Sequence, residues 1–321
     1  MNRRLLTAIV TTVLCLTTFM LVIVRDRLVA AQGVETLTQP TMAPLVKPAV
    51  SSPGLASNAC AVQPDKGSVK MRQKAMLERR ARLLSSGSVS LSRFRQELDV
   101  ASQSAEGGAK ATTDYVPREE MALIDPTNYG DRFLNDINGN PANLEPLVVL
   151  HETVGSASSA INLFKAFHLN DDDQVSYHTL VKRNGTVVYL VPPDKRAFGA
   201  GNSSFVGVNG LEAVRTSSAL SASVNNFAYH ISLETPYDGN HNGYTHSGYT
   251  QAQYQSLAWL VANTGVAEGR ITTHKGVDRS RSRIDPRSFS DKTFFALLRA
   301  QPKTTTIAIR CTDPSLLPTQ P

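Results

Sequence analysis

Leu147-Val148-Val149-Leu150-His151 sets four branched aliphatic side chains in succession and ends them on an imidazole. An unbroken apolar run of this length, without polar alternation, is the pattern of a strand covered on both faces. Working outward, Ser156 opens a helix with Ala160, Ile161, Phe164 and Phe167 on one face. Val175–Lys182 and Thr186–Val191 flank Arg183-Asn184-Gly185, and the Asn-Gly pair predicts a hairpin. Tyr229–Glu234 is a further strand. Tyr249–Thr264 predicts a helix with Tyr254, Leu257, Ala258 and Val261 inward and Gly265 as its stop. Ile271–His274 reads as a short strand and Asp291–Ala300 as a closing helix. Strands alternating with helices predict an α/β fold, a mixed central sheet flanked by helices, from about residue 117 to 300.

What precedes that domain is of another kind. Arg3 and Arg4 lead an uncharged, mostly apolar stretch from Leu5 to Val24, followed by Arg25-Asp26-Arg27. Twenty residues of helix span roughly 30 Å, enough to cross a bilayer. Residues 1–31 therefore read as a signal anchor, or as a signal peptide cleaved near Val29-Ala30-Ala31. Bulky Val13-Leu14 ahead of Cys15 argues against a lipoprotein. In either case the later residues are expected to be exported, to the periplasm or cell envelope, with 5–24 as a candidate inner-membrane anchor. Residues 32–66, with Pro40, Pro44, Pro48, Pro53 and Pro64, read as a linker.

Residues 67–116 read as a basic helical segment and linker. Val69, Met76, Leu77, Leu83 and Leu84 suggest a helix over 67–84, a second is expected from Leu91 to Ala101, and Gly107-Gly108 marks a boundary. Residues 66–95 hold nine lysines and arginines against the single acid Glu78, more than the whole chain's net charge of +6. The remainder is close to neutral, so the charge does not predict nucleic-acid binding. This basic surface reads either as an attachment to anionic envelope polymers or lipid headgroups, or as a solvated helix face packed on the domain. Residues 301–321 form a C-terminal tail. In an oxidising compartment Cys60 and Cys311 either pair or remain free thiols.

Two imidazoles and a carboxylate carry the chemistry. His151 and His274 each end an expected strand, and Asp285 follows His274 by eleven positions in a polar loop. Zinc accepts neutral imidazole nitrogen and carboxylate oxygen, and three protein ligands leave a position for water, as in catalytic sites. No Gly-x-Ser-x-Gly elbow or phosphate-binding loop is present, which speaks against serine hydrolase and nucleotide chemistry. Asp171-Asp172-Asp173 lacks the alternating ligands of a calcium loop.

The motifs occur in a familiar order: Val148-Val149-Leu150-His151-Glu152-Thr153, Val175-Ser176-Tyr177-His178 with Arg183-Asn184-Gly185-Thr186-Val187, Ile231-Ser232-Leu233-Glu234, Thr273-His274, and Arg283-Ile284-Asp285-Pro286. Together they resemble the zinc-dependent N-acetylmuramoyl-L-alanine amidases of the type-2 amidase family, relatives of phage T7 lysozyme and the peptidoglycan recognition proteins. The resemblance implies a Zn2+ site at His151, His274 and Asp285. It implies a general base at Glu234, a tyrosine near the metal water at Tyr177, and a transition-state-stabilising cation at Arg283, where many members have lysine. Arginine stays protonated and cannot shuttle a proton as lysine can.

The implied substrate is bacterial peptidoglycan or its muropeptide fragments, cut between N-acetylmuramic acid and L-alanine. Two other readings stay open: a non-catalytic peptidoglycan-binding protein, and a zinc peptidase acting within the stem peptide. His178, alternating with Tyr177 along its strand, is expected in the core. His168, His230, His241 and His246 have no partner among the motifs.

Overall fold

The computed structural model describes residues 59–97 and 115–316. The chain divides into two units, Met1–Ser52 and Pro53–Pro321. The first unit, with the expected membrane segment, lies outside the described residues, as do most of the linker and Gly107-Gly108. No helix among the described residues is long and apolar enough to cross a membrane.

Helix α1 (Val69–Ser85) starts on Ser68, whose side chain accepts from the Met71 amide. It buries none of its own residues and is held to the domain by arginines. Arg80 grips Asp125 through two nitrogens, at 2.9 and 2.7 Å, and Arg79 donates to the carbonyls of Pro126 and Tyr129. These contacts attach the helix to the domain. Where a second helix was expected from Leu91, the described residues hold only the short turn Leu91–Arg93, and Phe94 plugs into the core.

The domain's sheet has six strands: β1 (Glu119–Met121), β2 (Leu147–Glu152), β3 (Thr179–Val181), β4 (Val187–Tyr189), β5 (Ala228–Leu233) and β6 (Ile271–Thr273). Their order is β1-β4-β3-β5-β2-β6; only the β3–β4 hairpin is antiparallel, so the sheet is mixed. The hairpin turns at Gly185, whose φ of 85° suits a residue without Cβ. The expected strand from Val175 shortens to Thr179–Val181, and the Ser176 amide bonds to the Phe198 carbonyl outside the six-stranded sheet.

β2 and β5 are buried along their whole length. On one face Val148, Leu150, Tyr229, Ile231 and Leu233 pack against helix α3 (Gln251–Ala262) and helix α5 (Asp291–Ala300). On the other face, helix α2 (Ala157–Lys165) sets Ala157, Ala160 and Phe164 against Leu180 and Val188. α2 is capped by Ser156 as expected, but it ends before Phe167, which is 46% exposed and lies under the Arg80 guanidinium. α3 carries a full capping box, Thr250 with Gln253, and Gly265 follows its end with φ 65°.

Two segments read as linker and tail are tied to the domain. Cys60 and Cys311 form a disulfide across 251 residues, with Cα atoms 5.0 Å apart. Ala59 bridges Thr312, Ala61 bridges Phe133, and Ile307 and Ile309 are buried.

Candidate metal centre

β2 alternates its side chains across the sheet, so His151 shares the face of Val149, opposite Leu150. It is fully buried, and the sheet register sets it beside Ser232 of β5. His274 does not end a strand. β6 stops at Thr273, which caps the short helix α4 (His274–Val277) by accepting from Gly276, and His274 is that helix's first residue. Asp285 is brought back by a main-chain bond from the Lys275 amide to its own carbonyl, 3.0 Å long.

The three side chains converge, with one candidate ligand atom from each lying within 4.8 Å of the others. His274 Nδ1 stands 3.1 and 3.2 Å from the two Asp285 oxygens, and His151 Nδ1 is 3.4 Å from Oδ2. Burial depresses the His151 imidazole to about 4, an effect only partly offset by Asp285. Burial alone would raise the Asp285 carboxyl, but the two histidines outweigh it and hold it well below the usual range. Neutral imidazole and ionised carboxylate are the forms that bind a divalent cation. His151 Nδ1 is buried, faces the other two ligands and has no well-formed hydrogen bond among the described residues. A metal ion would supply the partner it lacks, and the donor set fits zinc.

Tyr177 lies against His151 with ring centroids 4.5 Å apart. Burial, then the Asp285 charge, pushes its phenol up, so it stays protonated. Tyr177, Glu152, His274, Arg283 and Asp285 line one cavity of about 810 Å3. Its walls also include Gly201, Asn202, Thr216 and Ser217 from the long 199–227 segment, and Arg72, Met76 and Arg79 of α1. Arg283 is exposed, and its amide is pinned by Asp278 at 2.8 Å.

Glu234 is not brought to this cavity. β5 ends at Leu233, and Glu234 turns toward the start of α2. One of its oxygens accepts from the Ala157 amide at 2.9 Å and the other from the Arg183 amide at 3.0 Å, with the Arg183 guanidinium 3.2 Å away. The general-base expectation is corrected accordingly: this carboxylate caps a helix and braces the hairpin. The β5 residue beside His151 is Ser232.

A second buried carboxylate, Glu152, follows His151 directly in sequence. It is buried and saturated by Arg287, Thr235, His246 and Tyr249. Arg287 also donates to the carbonyls of Gly239, His241 and Gly243, closing that loop. Glu152 adjoins His151 in sequence, but its partners arrive from residues 235–287, so only the fold shows its role. His178 is buried as expected; its Nδ1 accepts from the His230 amide and its Nε2 faces the Lys195 carbonyl.

Fold and site together define an α/β protein with a donor set suited to a divalent cation beside an open cavity. Residues 142–288 match the family model described as N-acetylmuramoyl-L-alanine amidase. This segment, a little under half of the chain, is similar to the type-2 N-acetylmuramoyl-L-alanine amidases. The 1,6-anhydro-N-acetylmuramyl-L-alanine amidase AmpD of Citrobacter freundii is 32% identical over 129 residues, 39% of this chain and 58% of that protein. The AmpD of Salmonella typhimurium is 32% identical over 117 residues, 35% of this chain and 51% of that protein. The chain thus spans about half the length of the curated relatives it matches. A crystal structure of a selenomethionine AmpD derivative aligns with 59% of this chain and 98% of its own, at 26% identity and a TM-score of 0.39.

Proposed function

We propose that this protein is an exported zinc amidase that hydrolyses the amide between N-acetylmuramic acid and the L-alanine of the peptidoglycan stem. The observation that carries the reading is the convergence of His151, His274 and Asp285, the last two lining one cavity, within the segment that matches the amidase family. A zinc ion held by these three would supply a Lewis acid and an activated water.

The chain's own residues hold the metal site and meet the developing oxyanion. His151 and His274 present neutral nitrogens and Asp285 one negative charge. Tyr177, held protonated, donates its hydroxyl toward the scissile carbonyl oxygen as that oxygen gains charge. Arg283 adds a permanent positive charge at the rim for the same oxyanion. Glu234 has no part in the proposed chemistry.

Export is supported by the Cys60–Cys311 disulfide, a bond that persists in oxidising compartments. The apolar stretch 5–24 serves in this reading as signal or inner-membrane anchor. Digestion of purified sacculi and of soluble muropeptides, with and without chelator, tests the activity by mass spectrometry. Free stem peptides beginning with L-alanine, lost on chelation, are expected. Cleavage within the stem would instead make it a peptidase, and binding without cleavage a recognition protein.

A further inference from the structure

His230 sits on β5 beneath the metal centre, fully buried, and no motif of the family segment accounts for it. Its Nδ1 lies 2.9 Å from Nε2 of His151, the nitrogen that faces away from Asp285. Two further contacts hold the ring in place. It runs parallel to His178, with centroids 5.8 Å apart and planes inclined by 8°. On its edge Gly199 approaches so closely that a Cβ there would stand 2.5 Å from Cγ and Nδ1 of His230. His178 is itself fixed, because its Nδ1 accepts the His230 amide and so leaves Nε2–H for the Lys195 carbonyl.

We propose that His230 is a positioning residue of the zinc site. Its Nδ1 accepts the Nε2–H of His151, which keeps that proton off Nδ1 and aims the Nδ1 lone pair at the metal. The assignment rests on the zinc reading above. A neutral imidazole carries one N–H, and the hydrogen bond made by the far nitrogen decides which nitrogen is free to ligate. With Nδ1 of His151 beside Asp285 and Nε2 beside His230, only one tautomer leaves the cavity side open. The other places a proton where the metal belongs. Gly199, in turn, is small because the His230 ring needs its space.

The test compares zinc affinity in the full chain, by chelator competition, for wild type, His230→Leu, His230→Asn and Gly199→Ala. Outer partners of this kind typically contribute 10–100-fold to metal affinity. His230→Leu, which removes the acceptor, is expected to weaken zinc by about that factor. His230→Asn, whose side-chain oxygen falls near the place of Nδ1, should recover most of the loss. Gly199→Ala should weaken zinc with His230 still present, by displacing the ring.

A second readout uses wild type alone. Nitrogen-15 correlation spectra of the zinc-loaded protein should show His151 with its proton on Nε2, and this decides the matter if His230→Leu does not fold. Wild-type affinity retained in His230→Leu, or an Nδ1–H tautomer of His151 in the loaded protein, overturns the assignment while leaving the zinc site standing. Wild type that takes up no zinc overturns both.

Discussion

Replacing Glu234 by alanine separates a chemical role from a structural one. Its carboxylate holds the Ala157 amide, the Arg183 amide and the Arg183 guanidinium. Ala157 is 4% exposed, so its amide loses its partner without gaining water, at about 1–3 kcal/mol. Loss of the negative charge at the α2 N-terminus adds roughly 0.3–1 kcal/mol. The Arg183 amide is only half-buried and re-solvates at smaller cost. The sum is about 3 kcal/mol, or roughly 6–12 °C in melting temperature for a domain of this size. Glu234→Gln retains one acceptor oxygen and should lose about half as much. Turnover on muropeptides, measured well below the melting point, should stay within a few-fold of wild type. A hundredfold fall in turnover at unchanged melting temperature and zinc content would return Glu234 to the mechanism and refute the placement argued from β5.

Further outcomes follow from the other buried groups. Zinc at a hundredfold excess over its dissociation constant should stabilise the protein by about 2.7 kcal/mol; calorimetry should show this in wild type and not in Asp285→Ala, and an equal shift in both would place the metal elsewhere. Burial holds His151, His178 and His230 below the ordinary histidine value. The unfolded chain therefore binds more protons than the folded one below about pH 6.5. Urea unfolding of metal-free protein should show stability falling from pH 6.5 toward 4, by up to ~1.4 kcal/mol per pH unit for each histidine, and a flat profile would contradict their burial as neutral rings. Cys60→Ser should destabilise by at most ~5 kcal/mol, the chain-entropy limit for so long a loop. Proteolysis near residues 59–62 and in the tail should quicken with it, and unchanged cleavage would mean that the neighbouring bridges suffice to hold both segments.

Local physics made much of the fold legible in advance. The apolar run into His151, the Asn184-Gly185 turn, the Ser156 and Thr250 caps and the Asp291–Ala300 helix each depend on neighbours a few residues away, and each is found. The trio His151, His274 and Asp285 was legible because the motifs around it keep a recognisable order. Glu234 is not legible in this way, because strand alternation says which face a residue takes but not where the strand stops. One residue past the end of β5, backbone direction and the open amides of α2 decide instead. The Glu152 network, the His230 contact and the closure of Cys60 on Cys311 join residues dozens to hundreds apart, and their partners are chosen by sheet register and packing. The chain alone thus determined which elements form and which side chains could bind a metal. Only the tertiary structure decided which of the remaining polar groups stand beside that metal and which are spent holding the walls, because that depends on distances no linear spacing encodes.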